Sequence, residues 1–205
     1  MLNDRYELER ARLSKLNLTA EADILNPVFG EGNAERPRIM FIGEAPGREE
    51  ASCGRPFVGK AGRQLDEMLC TAGIDRGEVF VTNAVKYRPF KTKNGRASNR
   101  TPSAAEVITG AELLCEEISS VDPIVIATLG NTPLFALLYL DEGDSGRLTV
   151  GQAHGMPIVL KIAGEPRTVF PLYHPAASIY NRALASVLQD DLIKLGRYAL
   201  SVDRK

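Results

Sequence analysis

Residues 39–42, Ile-Met-Phe-Ile, form an unbroken apolar run that stops at Gly43 and the turn Gly43-Glu44-Ala45-Pro46-Gly47. Alternation would mark a strand with one wet face. An unbroken run marks a strand covered on both faces, as in a parallel sheet between helices. The glycine-rich turn then lies at the strand's carboxyl end, the edge where open α/β sheets bind ligands. Glu44, Glu49, Glu50 and Phe57 therefore overhang the expected pocket.

The remainder of the chain repeats the theme. Residues 79–85 and 123–130 read as buried strands, and MPIVLKI and TVFPLYHP read as two more, joined by a turn around Gly164. Helical spacing predicts helices from Lys60 to Gly73, from Thr101 through Ile118, over 132–140 and over 182–198. Gly54, Pro56, Gly59 and Gly62 are too many breakers for a helix before Lys60. At the amino terminus, Tyr6, Leu8, Leu13 and Leu16 predict an amphipathic helix over 3–16, and Phe29–Asn33 reads as a turn that packs on the sheet or joins the ligand rim. Strands alternating with helices predict an α/β fold, a three-layer α/β/α sandwich with a central, mainly parallel sheet. With 205 residues and no composition shift, the expectation is one domain, 1–205, of which 1–28 are amino-terminal helix and lead-in.

Charge is almost balanced, 25 Lys plus Arg against 26 Asp plus Glu, so any nucleic-acid surface must be local. The candidate is 86–100, where Lys86, Arg88, Lys91, Lys93, Arg96 and Arg100 occur with Tyr87 and Phe90 and no acid. Such a stretch is either a solvated loop or a phosphate-contacting one with aromatics set for bases. Asn83, near a strand end, either caps a loop or reads a ligand. Cys53, Cys70 and Cys115 are odd in number and widely spaced, which fits small free thiols in a reducing cytoplasm. The charged amino terminus carries neither a signal core nor a membrane span, so a cytoplasmic protein without a membrane partner is expected. His154 reads as a surface histidine.

Glu44, Asn83 and His174 fall at the carboxyl ends of three strands, and in a parallel sheet those ends converge. A carboxylate, an amide and an imidazole beside the flat wall of Phe57 can hold a planar heterocycle by stacking and edge hydrogen bonds. Six segments carry a resemblance: GEAPG at 43–47, GRPFVGKAG at 54–62, TNAVKYRP at 82–89, NRTP at 99–102, TLG at 128–130 and YHPA at 173–176. In this order they resemble the uracil-DNA glycosylase superfamily, and within it family 4, over about residues 28–195. The resemblance implies that Phe57 stacks on an extruded uracil and Asn83 bonds its polar edge. It places His174 against O2, Glu44 at the water, and Glu50 near C5, where it excludes thymine's methyl. Gly43 and Ala45 line the base site. Ala45 stands where some relatives carry a catalytic aspartate, which shifts that burden to Glu44.

What the resemblance implies chemically suits these residue types: donors facing a departing uracil anion, a carboxylate facing the sugar and water, and a base extruded from the stack. The implied partner is uracil-containing DNA, met by a monomeric hydrolase that begins base-excision repair. Family 4 proteins hold a four-iron, four-sulfur cluster on four cysteines, two near the amino terminus and two flanking the basic loop. Here the amino-terminal region has none, Tyr87 stands at one position and Gly110 at another, so no cofactor and no metal are expected. Two rivals remain: a uracil-DNA binding protein with little turnover, and a general nucleotide-binding hydrolase.

Overall fold

The computed structural model describes residues 2–15, 22–143 and 146–202, with only the backbone at Tyr180. In chain order the elements are α1 (Leu2–Leu13), β1 (Ala22–Asp23), β2 (Glu31–Gly32), β3 (Ile39–Gly43), α2 (Arg48–Cys53), α3 (Lys60–Thr71), β4 (Phe80–Asn83), β5 (Arg88–Lys93), β6 (Arg96–Asn99), α4 (Ala104–Val121), β7 (Val125–Leu129), α5 (Asn131–Leu140), α6 (Val150–Ala153), β8 (Ile158–Ile162), β9 (Glu165–Leu172), α7 (Pro175–Tyr180) and α8 (Arg182–Ser201).

A six-stranded sheet runs β2-β4-β3-β7-β9-β8. Strands β4, β3, β7 and β9 are parallel, and the edge strands β2 and β8 are antiparallel to their neighbours. The apolar run at 39–42 is buried throughout, and its alternate residues feed two cores. Met40 and Ile42 pack with Val107, Leu114 and Ile118 of α4 and Ala136 and Leu137 of α5. Ile39 and Phe41 pack with Leu65 and Leu69 of α3 and Leu188, Leu192 and Leu195 of α8. Two cores on two faces of one sheet make the α/β/α sandwich that the sequence predicts. Leaving β3 the chain crosses to β4 on one side, and leaving β7 it crosses to β9 on the other. The crevice between β3 and β7 is thus the topological switch point.

Three expectations need correction. Residues 86–100 form a hairpin, β5 with β6, whose turn at Asn94-Gly95 has both residues at positive φ (52° and 73°) as a type I′ turn requires. The helix α2 occupies Arg48–Cys53, just ahead of the breakers, and α6 and α7 add short turns that lack a long apolar pattern. On α1 the buried residues are Tyr6, Glu9 and Leu13, whereas Leu8 is exposed; Leu16 lies outside the described residues.

Candidate active site

The parallel register sets Gly43 opposite Asn83, so the ends of β3 and β4 reach the same edge together. Beyond them Ala84 N donates to Gly43 O (2.9 Å) and Val85 N to Glu44 O (3.1 Å), which extends the pairing into the turn. A cleft of about 480 Å³ opens here, bordered by Glu44, Ala45, Glu50, Phe57, Asn83 and His174. The sequence-chosen residues are therefore brought together. Gly43 is glycine for lack of space: a Cβ there would lie 2.5 Å from both Phe57 Cζ and Asn83 Oδ1. Phe57 is buried and held at φ 56°, a left-handed conformation that costs a non-glycine residue about 1–3 kcal/mol and persists only where the surroundings impose it. The side-chain amide of Asn83, 4% exposed, has no hydrogen-bond partner among the described residues. A buried amide in that state has its donor and acceptor available to a ligand.

His174 begins α7 as its N-cap: its Nδ1 accepts a hydrogen bond from Ala176 N (3.1 Å). Accepting at Nδ1 places the neutral ring's proton on Nε2. Burial lowers the His174 pKa, favouring that neutral form. Across the switch point, Glu44 Oε2 accepts from Thr132 Oγ1 (2.7 Å), which fixes one carboxylate oxygen and leaves the other to the cleft. Thr132 was missed in the sequence, where it reads only as the opening of an apolar helix. Glu50 has a second role. Its Oε1 accepts from Gly59 N (2.7 Å) and its Oε2 from Gly47 N (3.1 Å), so one carboxylate closes the loop that carries Phe57.

The six cations of 86–100 divide sharply. Lys86 contradicts its reading as a DNA contact: it is 2% exposed, and its Nζ donates to Glu117 Oε2 (2.6 Å), Thr82 Oγ1 (2.8 Å) and Asn83 O (2.5 Å). Burial pulls its pKa below the usual lysine range while the Glu117 carboxylate opposes the shift. Arg88 is 8% exposed and borders the cleft, with Nε donating to Asn99 Oδ1 (2.7 Å) and the guanidinium over Phe90. Arg100 also borders the cleft but is paired with Glu106 (2.7 Å). Lys91, Lys93 and Arg96 are exposed along the hairpin. His154 is half-buried against the Tyr173 ring, with Nδ1 2.7 Å from Asp191 Oδ2, where a plain surface histidine was expected.

The chain's three cysteines do not make up the four-cysteine ligand set of an iron–sulfur cluster. Cys53 and Cys70 are exposed at the ends of α2 and α3, and Cys115 is half-buried on α4. No group of three or more His, Cys, Asp or Glu able to hold a metal occurs among the described residues. Tyr87 is 3% exposed within the core beside Leu13 and Val107, and a Cβ on Gly110 would lie 2.5 Å from Ala84 O. Burial pushes the Tyr87 hydroxyl up to about 12.

A family model described as the uracil DNA glycosylase superfamily matches residues 29–194. The chain is 38% identical to a Type-4 uracil-DNA glycosylase of Saccharolobus solfataricus over 83% of its own length and 74% of the relative's. To the protein of the same name from Sulfurisphaera tokodaii it is 36% identical, covering 87% and 77% of the two chains. To that of Pyrobaculum aerophilum it is 39% identical, covering 82% and 80%.

Proposed function

This chain belongs to the uracil-DNA glycosylase superfamily, with family 4 relatives, and from that membership we propose that it excises uracil from DNA by hydrolysing the N-glycosidic bond. The observation that carries the reading is a buried, unpartnered Asn83 amide in the same cleft as a neutral His174 whose proton is assigned to Nε2. Both are what an edge-reading site for a neutral heterocycle needs.

In the reaction, water adds at C1′, the bond from C1′ to uracil N1 breaks, the electron pair leaves with the base, and the proton that the water gives up passes by way of Glu44 and solvent to the departed uracil. Negative charge then develops on uracil and positive charge on the sugar. His174 Nε2–H donates to uracil O2 as that charge grows, and a fixed donor of this kind is worth about 10²–10³ in rate. Glu44, oriented by Thr132, faces the sugar and places the water. Phe57 stacks on the extruded base and Asn83 bonds its edge, which offsets part of the cost of unstacking. Glu50 holds the Phe57 loop, and the rim it forms with Gly47 limits space at C5. Arg88, with Nε bound to Asn99 and its terminal nitrogens unpartnered among the described residues, takes a phosphate of the extruded nucleotide. Lys91, Lys93 and Arg96 contact phosphates farther along the strand.

The proposal includes catalysis without an iron–sulfur cluster, supported by three cysteines on three separate elements. The deciding experiment incubates the protein with a uracil-containing oligonucleotide and then alkali. Scission at the uracil position is expected; gel retardation without scission would leave a uracil-DNA binding protein instead.

A further inference from the structure

Behind Asn83 lies a polar group fully enclosed by the core on the α4 side of the sheet. Lys86 has three ammonium protons and three acceptors: Glu117 Oε2, Thr82 Oγ1 and Asn83 O. Glu117, 0% exposed, accepts from Lys86, from Thr82 Oγ1 (2.9 Å) and, at Oε1, from Tyr6 Oη (2.9 Å). A pair this deep contributes little net stability, because desolvating two ions about cancels their attraction. Its geometric consequence is larger. The Asn83 carbonyl is held from the core side, and residues 84 and 85 are at the same time bonded to Gly43 O and Glu44 O.

The same group reaches the amino-terminal helix. Tyr6 stacks on Phe29 (centroids 4.4 Å apart, planes at 10°), Arg10 lies over the Phe29 ring, and Val28 N donates to Lys86 O (2.6 Å). Lys86 is therefore fixed through its side chain by Glu117 and through its main chain by Val28. Resting on the uracil-reading role of Asn83, we propose that Lys86 and Glu117 are positioning residues for that amide, and that docking of α1 through Tyr6 is part of the active-site architecture. The helix that touches no substrate thereby helps to set the posture of the group that reads it.

The test uses the full chain. Lys86→Met alone leaves a buried acid uncompensated and is expected to lose much of the protein's stability, so the informative variant is Lys86→Met with Glu117→Leu, an apolar pair of similar volume. It is expected to fold with a melting temperature only moderately below that of the parent, since no charge is left unpaired and the loss is that of the hydrogen bonds to Tyr6 Oη, Thr82 Oγ1 and Asn83 O. Its single-turnover excision rate, measured well below melting, should fall at least about tenfold, because an ångström of misplacement costs up to about a hundredfold. Its affinity for uracil-free DNA should stay at the parent value, since the exposed hairpin cations are untouched. Tyr6→Phe, which removes one hydrogen bond, should lower the same rate about threefold. In both variants the side-chain NH2 resonances of Asn83 should move in the free protein. A folded double variant with parental excision, or a slow one with unmoved Asn83 resonances, would overturn the proposal; were the double variant unfolded, Tyr6→Phe decides by the same two readings. If the parent excises no uracil, the function is wrong and the Asn83 resonances alone judge the positioning.

Discussion

Two walls of one cleft are built on opposite principles. The strand-end wall, Glu44, Phe57, Asn83 and His174, is set at the edge of a parallel sheet, and its turns are tied by backbone hydrogen bonds between Ala84 and Gly43 and between Val85 and Glu44. The hairpin wall, β5 and β6, forms with β1 a separate three-stranded antiparallel sheet, and Lys91–Asn99 stand in solvent. Reading a base edge needs groups fixed to fractions of an ångström, which burial supplies. Attracting a phosphate backbone needs only charge and reach, which a solvated hairpin supplies. Cations that are neighbours in sequence are sorted between these two tasks by depth and by partner: Lys86 is paired with buried Glu117, whereas Arg88, also buried, faces the cleft.

The contrast can be broken most forcefully at Lys86. Lys86→Met by itself should destabilise folding by about 3–5 kcal/mol, the cost of a buried ion left unpaired, read from urea unfolding. A mild effect would mean Lys86 belongs with the hairpin after all. Next in size, His174→Ala should cut excision by about 10²–10³ with DNA affinity little changed, measured under single turnover. Acid should act on the same residue. Because burial depresses its pKa, the contribution of neutral His174 to activity and folding is full above the ordinary value of about 6.5 and is lost as pH falls through the lowered one. Protonation would place a second hydrogen at Nδ1, facing the Ala176 amide.

Smaller still should be the hairpin's share. Replacing Lys91, Lys93 and Arg96 together should weaken binding to any DNA and reduce the slope of log affinity against log salt by up to about 2.7, while excision at saturating DNA stays near the parent rate. An unchanged slope would make the hairpin a bystander. The smallest effect concerns metal: chelators should change neither melting temperature nor excision, and a brown protein with stoichiometric iron would overturn the cluster-free reading.

The strand-end wall was legible in the sequence because its rule is local. Apolar runs ending at Gly43, Asn83 and His174 announce buried strands, and parallel strands must share an edge, so the convergence of these residues needed no contact information. The hairpin was less legible, since a strand polar on both faces lacks a period-two pattern; Asn94-Gly95 was the signal available. Lys86 was misread because its partner lies 31 residues away on another element. Glu117 did leave a trace: it sits among Leu113, Leu114 and Ile118 on the apolar face of α4, where an unpaired acid would be costly. The docking of α1 through Tyr6, Glu9 and Leu13 was partly hidden because Leu8 suggested a different face.

The loop from Gly47 to Gly59 is shut by Glu50 before any ligand arrives. Ordering a loop of this length on binding would take roughly 1–2 kcal/mol per residue from the affinity in lost backbone freedom. Here that entropy is surrendered during folding, and Phe57 waits in its strained conformation. The receptor side of recognition is then nearly constant from one substrate to the next, and the variable term is the work of pulling the nucleotide out of its stack. Uracil in single strands or mispairs should be removed faster than uracil paired with adenine, in proportion to the free energy by which each context holds its base. Selectivity among DNA contexts becomes a property written in the DNA, with the protein serving as a fixed gauge against which each site's looseness is measured.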